Sequence, residues 1–222
     1  MEKSRSSAVS PYSYEVHLPS GYVPGRRYPA LFTLHGKGSN EQNMFGLVEP
    51  LAEEFIIIGI RGDLTLGPGY QYYELVSLGN PVREQFDRAV RQLEAVIDEI
   101  TSSEPVDPER RCLLGFSQGA ILSMTLALVM GSRLKGIVSL NGYVPDFVKS
   151  EYQLQSLEKV SLFISHGQYD PLFPAEIGHE TAAYFQALTS NVVFNMYPNG
   201  HEVSRQNQQD FLSWLQADIK QE

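Results

Sequence analysis

Residues Arg110 to Met130 read RRCLLGFSQGAILSMTLALVM. Arg111 to Phe116 is a short apolar run, Gly115-Phe116-Ser117-Gln118-Gly119 is a Gly-x-Ser-x-Gly, and Ala120 onward places apolar residues at helical intervals without proline. The pentapeptide alone recurs by chance, but a strand turning sharply into a helix with serine at the apex gives it meaning. Glycines on both sides are required because the serine is held in a strained conformation and side chains there would strike the adjoining strand or helix. Ser117 Oγ is then presented above the sheet edge, beside the unpaired N–H groups that open a helix. The stretch predicts a nucleophilic serine.

The flanking sequence alternates strands and helices. Upstream, Tyr12 to Leu18 reads as an edge strand, Pro29 to Leu34 as a short apolar strand, and Asn43 to Phe55 as a helix interrupted at Pro50. Phe55 to Ile60 is continuously apolar, as in a strand covered on both faces. Arg61 to Pro81 is a long glycine- and tyrosine-rich connection of the kind that lines a site, and Val82 to Ile100 is the strongest amphipathic helix. Downstream, Leu134 to Leu140, Val160 to Ser165 and Val192 to Tyr197 read as strands, with helices over Pro174 to Leu188 and Glu202 to Lys220 and a mixed connection over Val144 to Lys159. This order predicts a mostly parallel sheet with helices on both faces, in which sites gather at the carboxyl ends of strands.

Composition bounds the rest. The length of 222 residues suits one α/β domain spanning 1–222, with residues 1–12 expected to fray. A formal charge of -9 argues against nucleic acid and against attraction to an anionic membrane surface, leaving a small molecule as the expected partner and a homodimer open. The single cysteine, Cys112, excludes an intramolecular disulfide and reads as a small buried hydrophobe. The N-terminus MEKSRSSAVSPYSYEV has no apolar core of signal-peptide length and no stretch approaches a membrane span, so a soluble, cytoplasmic protein is expected.

Lys37, Ser117, Asp170 and His201 each follow the carboxyl end of a separate predicted strand and should converge. A serine hydroxyl needs an imidazole to accept its proton, and that imidazole needs a carboxylate to fix its tautomer. Of five histidines, His201 lies in a glycine-containing loop that can return over the elbow. His17 and His179 fall within predicted elements, and His35 and His166 begin His-Gly turns that shape loops. Asp170 precedes Pro171 at a turn position; Asp146 is its rival, and Glu202 is too close to His201 in sequence to orient it. An oxyanion would be held by the backbone N–H of Gln118 and by one from the loop after Leu34, assigned to Lys37, with Gly36 and Gly38 permitting close approach.

The motifs LHGKG, GFSQG, HGQYDPLFP and NGHEV, in this order, resemble the phospholipase/carboxylesterase family of α/β-hydrolases, from about Tyr14 to the end. That resemblance implies a Ser117-Asp170-His201 triad, an oxyanion hole from Lys37 and Gln118, no separate lid domain and no cofactor. Arg61-Gly62 resembles the family's Arg-Gly after its next strand. Position 37 departs from the apolar residue common in the family, and DLTLGPGYQYYEL carries tyrosines in place of a tryptophan-phenylalanine type motif. The expected activity is hydrolysis of short- to medium-chain acyl esters through an acyl-enzyme, with no metal. The alternatives are an acyl-protein thioesterase or lysophospholipase and, outside the enzymes, a small-ligand-binding module. Tyr70, Tyr72, Tyr73, Leu75 and Phe173 are the expected pocket walls.

Overall fold

The structure, a computed structural model, describes residues 3–220. The chain begins with β1 (Lys3–Ser6), β2 (Ser13–His17), β3 (Tyr28–Leu34), α1 (Glu41–Val48) and β4 (Ile56–Arg61). Two small hairpins follow, β5 (Leu64–Leu66) with β6 (Gly69–Gln71) and β7 (Leu75–Ser77) with β8 (Asn80–Pro81). Next come α2 (Arg83–Ser103), β9 (Val106–Phe116), α3 (Gln118–Met130), β10 (Gly136–Leu140) and α4 (Asp146–Glu151). The chain closes with β11 (Ser161–Gly167), α5 (Ala175–Leu188), β12 (Val192–Tyr197) and α6 (Arg205–Asp218).

Among the described residues the main sheet has eight strands in the order β1-β2-β4-β3-β9-β10-β11-β12. The first two junctions are antiparallel and all pairings from β4 to β12 are parallel. Strand alternation sorts side chains between the two faces. In β3, Ala30, Phe32 and Leu34 join the layer beneath α2, α3 and α5, whereas Leu31 joins the layer beneath α1 and α6. Seven residues of α2, Phe86, Ala89, Val90, Leu93, Val96, Ile97 and Ile100, form its buried stripe at helical spacing. Helix α3 is apolar nearly all round because it lies at the centre of its layer, with Ala120 through Leu128 all buried.

Several boundaries differ from the sequence expectation. Of residues 1–12, expected to fray, residues 1–2 lie outside the described residues and 3–6 pair with β2, so β1 is the edge and β2 is internal; polar residues suit an edge strand that has one side in water. The helix expected over Asn43 to Phe55 ends at Val48, and a 3-10 turn over Glu49–Leu51 places Pro50 where its missing N–H costs little. The connection expected over Arg61 to Pro81 starts on the last residue of β4 and carries two hairpins, over 64–71 and 75–81. Cys112 is fully buried in β9, and burial pushes its thiol up to about 12. Among the described residues no helix is long and apolar enough to cross a membrane.

Candidate active site

The elbow is built by close backbone approach. A Cβ on Gly115 would lie 2.1 Å from the Gly119 carbonyl oxygen, and one on Gly119 would lie 2.0 Å from that of Leu34. Strand β9, helix α3 and the end of β3 therefore meet at a separation that only glycine allows. Ser117 takes φ 54° and ψ -114° between them, a strained conformation held by its N–H donating to Leu140 O at 2.9 Å.

Three distant loops bring polar side chains to this apex. His201, after β12, places Nε2 2.8 Å from Ser117 Oγ and Nδ1 2.7 Å from Asp170 Oδ2. Its ring packs against Phe116 and Phe173, with centroids 5.1 and 5.3 Å away. Asp170, after β11, is 5% exposed and carries four donors. Leu172 N–H and Phe173 N–H reach Oδ1 at 2.8 and 3.0 Å, while Asn141 Nδ2 reaches Oδ2 at 3.0 Å beside His201. Burial by itself would raise its pKa, yet the donors from Asn141, Phe173, His201 and Leu172 hold the carboxyl below its ordinary value. Such a succession can draw a proton from the hydroxyl onto the imidazole while the carboxylate stays charged. Asp146, the rival carboxylate, begins α4 and pairs with Lys149 at the surface.

The loop after β3 is oriented by His35, which is fully buried. Its Nε2 accepts from Gly62 N–H at 3.0 Å, so Nδ1 carries the proton and donates to Gly36 O at 2.8 Å. Burial pushes its pKa down to about 4, keeping the ring neutral. In a trans peptide the N–H points away from the C=O; anchoring Gly36 O on the buried side turns the Lys37 N–H outward. Among the described residues neither the Lys37 N–H nor the Gln118 N–H donates to a protein acceptor. Gln118 also works through its side chain, accepting from Tyr72 N–H at 2.8 Å and donating to Tyr73 O at 2.9 Å. The elbow is thereby tied to the segment between the two hairpins.

An apolar cavity of about 670 Å³ opens beside Ser117. One wall, from Tyr73, Leu75, Ile121, Tyr143 and Phe173, is continuous with the core layer of α2 and α3, and exposed Leu78 also lines the cavity. The opposite wall, from Met44, Leu47, Phe116 and Val203, belongs to the layer of α1 and α6 and is edged by Lys37, Ser39, Asn43 and Glu202.

Of the five expected pocket residues, Tyr73, Leu75 and Phe173 line this cavity and two do not. Tyr70 straps the preceding loop, accepting from Gly38 N–H and donating to Ser39 O, with its ring under the Arg61 guanidinium at 4.8 Å. Tyr72 is fully buried, its hydroxyl donating to Ile60 O at 2.6 Å and accepting from His35 N–H. Both serve the scaffold, Tyr70 within β6 and Tyr72 just after it, by bonding to the backbone at the ends of β3 and β4. Asn141 was not anticipated, although Asn-Gly at the carboxyl end of a strand is a turn signal that also marks the site end of the sheet. His166 lies within β11 and donates from Nε2 to Phe173 O at 2.7 Å, shaping the Asp170 loop.

A mostly parallel sheet flanked by helices, with a strand-serine-helix apex at its carboxyl edge, is the architecture of the α/β-hydrolases. The phospholipase/carboxylesterase family matches residues 26–219, and the chain belongs to it. It is a hydrolase of the carboxylesterase and acyl-protein thioesterase type. An acyl-protein thioesterase 1 of Debaryomyces hansenii is 26% identical over 170 residues, covering 71% of this chain and 72% of the relative. Carboxylesterase SOBER1 of Arabidopsis thaliana is 27% identical over 147 residues, 64% of each protein. The crystal structure of a Bacillus cereus carboxylesterase superposes with a TM-score of 0.81 at 22% identity, covering 92% of this chain and 93% of that one, which shows a shared fold.

Proposed function

We propose that this chain is a cytoplasmic serine carboxylesterase that hydrolyses short- to medium-chain acyl esters through an acyl-enzyme. Ser117 Oγ attacks the ester carbonyl carbon while its proton passes to His201 Nε2. The oxyanion that forms is met by the N–H groups of Lys37 and Gln118, each worth about 3 kcal/mol of barrier. Collapse of this intermediate breaks the bond to the alcohol, which leaves with the proton from His201. Water then attacks the acyl-Ser117 carbonyl, again giving its proton to His201, and the acid departs as Ser117 regains that proton. Asp170 holds the imidazole in the productive tautomer and stabilises its cationic form. The observation that carries this reading is the unbroken chain from Ser117 Oγ to His201 Nε2 at 2.8 Å and from His201 Nδ1 to Asp170 Oδ2 at 2.7 Å.

The cavity supports the substrate class. Its largely apolar wall suits the acyl chain, and the wall edged by Lys37, Asn43 and Glu202 suits the alcohol and the attacking water. Replacement of Ser117 by alanine should cut p-nitrophenyl acetate hydrolysis by about a millionfold and abolish fluorophosphonate labelling, with the fold retained. Substantial turnover by the purified, folded variant would overturn the mechanism. Acyl-protein thioesterase activity is the second reading, favoured by Leu78 and Leu172, which carry the apolar lining out to the surface at 58% and 43% exposure. A chain-length series of esters against matched thioesters separates the two, and a preference for long acyl thioesters would favour the second.

A further inference from the structure

Asn141 follows the carboxyl end of β10 and, like Ser117, is a non-glycine residue at positive φ, 55°. Ser117 and Asn141 are the two such residues among the described residues, and both stand at the same site. Asparagine is among the non-glycine residues that best tolerate this conformation, and it brings to the site an amide that glycine would not. The side chain is fully buried. Its Nδ2 donates to Asp170 Oδ2 at 3.0 Å and to Gly200 O, immediately before His201, at 3.3 Å. The amide orientation follows from chemistry, because the flipped form would set Oδ1 against two acceptors. Its N–H donates to Ser165 O at 2.9 Å, anchoring it to the strand that leads into the Asp170 loop.

We propose that Asn141 is a positioning residue whose single amide nitrogen holds the Asp170 carboxylate and the His201 loop at a set separation. The proposal rests on the triad reading above. Asp170 and His201 arrive on loops from different strands; backbone bonds such as Tyr169 N–H to Asn199 O at 3.0 Å join those loops, and Asn141 adds a side-chain tie at the carboxylate itself. By occupying a lone pair of the same oxygen that meets His201, the amide directs the remaining one at the ring. It also links that oxygen to the backbone that delivers the ring. The titratable groups facing Asp170 are His201 and His166, whose Nε2 is 3.9 Å from Oδ2.

Two variants test this, with active sites counted by fluorophosphonate titration. Asn141→Gly relieves the backbone strain and deletes the amide. Its kcat on p-nitrophenyl acetate should fall about 10- to 100-fold, with KM within about twofold and thermal stability equal to or above that of the parent. Asn141→Ala keeps a side chain at the positive-φ position and deletes only the amide. Its kcat should fall to within about threefold of the Asn141→Gly value although its thermal stability is lower, so the loss follows the amide and not the stability. Undiminished kcat per active site in Asn141→Gly, a loss explained entirely by fewer folded molecules, or a parent-like kcat in Asn141→Ala overturns the proposal. If Ser117→Ala is inactive while Asn141→Gly is not, the triad reading stands and this one fails.

Discussion

Asp170 and His35 are both withdrawn from water, and each solves the cost of burial differently. The carboxylate of Asp170 is kept charged by four donors, whereas the ring of His35 is kept neutral because one nitrogen accepts from Gly62 and the other donates to Gly36. Replacing Asp170 by asparagine presents an amide where His201 Nδ1 needs an acceptor, and kcat should fall by about four orders of magnitude in stopped-time ester assays. His35 yields a prediction about stability. Its folded pKa of about 4 lies below the ordinary 6.5, so the unfolded chain takes up the proton first. Its contribution is whole above about pH 6.5 and is lost as the pH falls towards 4, about 3 kcal/mol in all. Urea titrations at pH 7 and pH 4 should show the parent losing that much more stability than His35→Asn; equal losses would contradict the account.

At the scale of elements, the elbow is a junction of three backbones and the helix ends are local matters. A methyl group on Gly119 would press into the Leu34 peptide, which is itself paired on both sides within the sheet. Gly119→Ala should therefore cost more than about 4 kcal/mol, seen as a large fall in melting temperature or a failure to accumulate folded protein. Helix α6 shows the contrasting case. Ser204 caps it by accepting from Asn207 N–H at 3.2 Å, and Ser204→Ala should cost about 1 kcal/mol by urea denaturation while leaving kcat unchanged. The two outcomes differ because a cap can be replaced by water, whereas two backbones cannot be moved apart without shifting the sheet.

For the whole molecule, the cavity is where the two core layers meet over the carboxyl edge of the sheet. Leu75, on hairpin β7–β8, belongs to the layer of α2 and α3, and Leu47 on α1 belongs to the opposite layer. Under the proposed assignment of the apolar wall to the acyl group, Leu75→Trp should lower kcat/KM for octanoyl esters at least about tenfold more than for acetyl esters. The same substitution at Leu47 should act on alcohol size instead. A chain-length series crossed with an alcohol series measures both, and identical effects from the two variants would refute the division.

Periodicity and turn chemistry in the sequence determined the strand and helix order, the elbow, and the strand ends carrying Ser117, Asp170 and His201. These features are local: apolar spacing, glycine at a crowded turn, and the rule that parallel strands present their carboxyl ends to one side. The pairing of residues 3–6 with β2, the hairpins within 61–81, the burial of Tyr72 and the role open to Asn141 were decided by tertiary structure. Each depends on which distant backbone lies alongside, as when Tyr72 meets His35 just after β3 and Gln118 at the start of α3. No spacing within one segment encodes such a meeting, because it is created when the sheet brings separate loops within hydrogen-bonding reach.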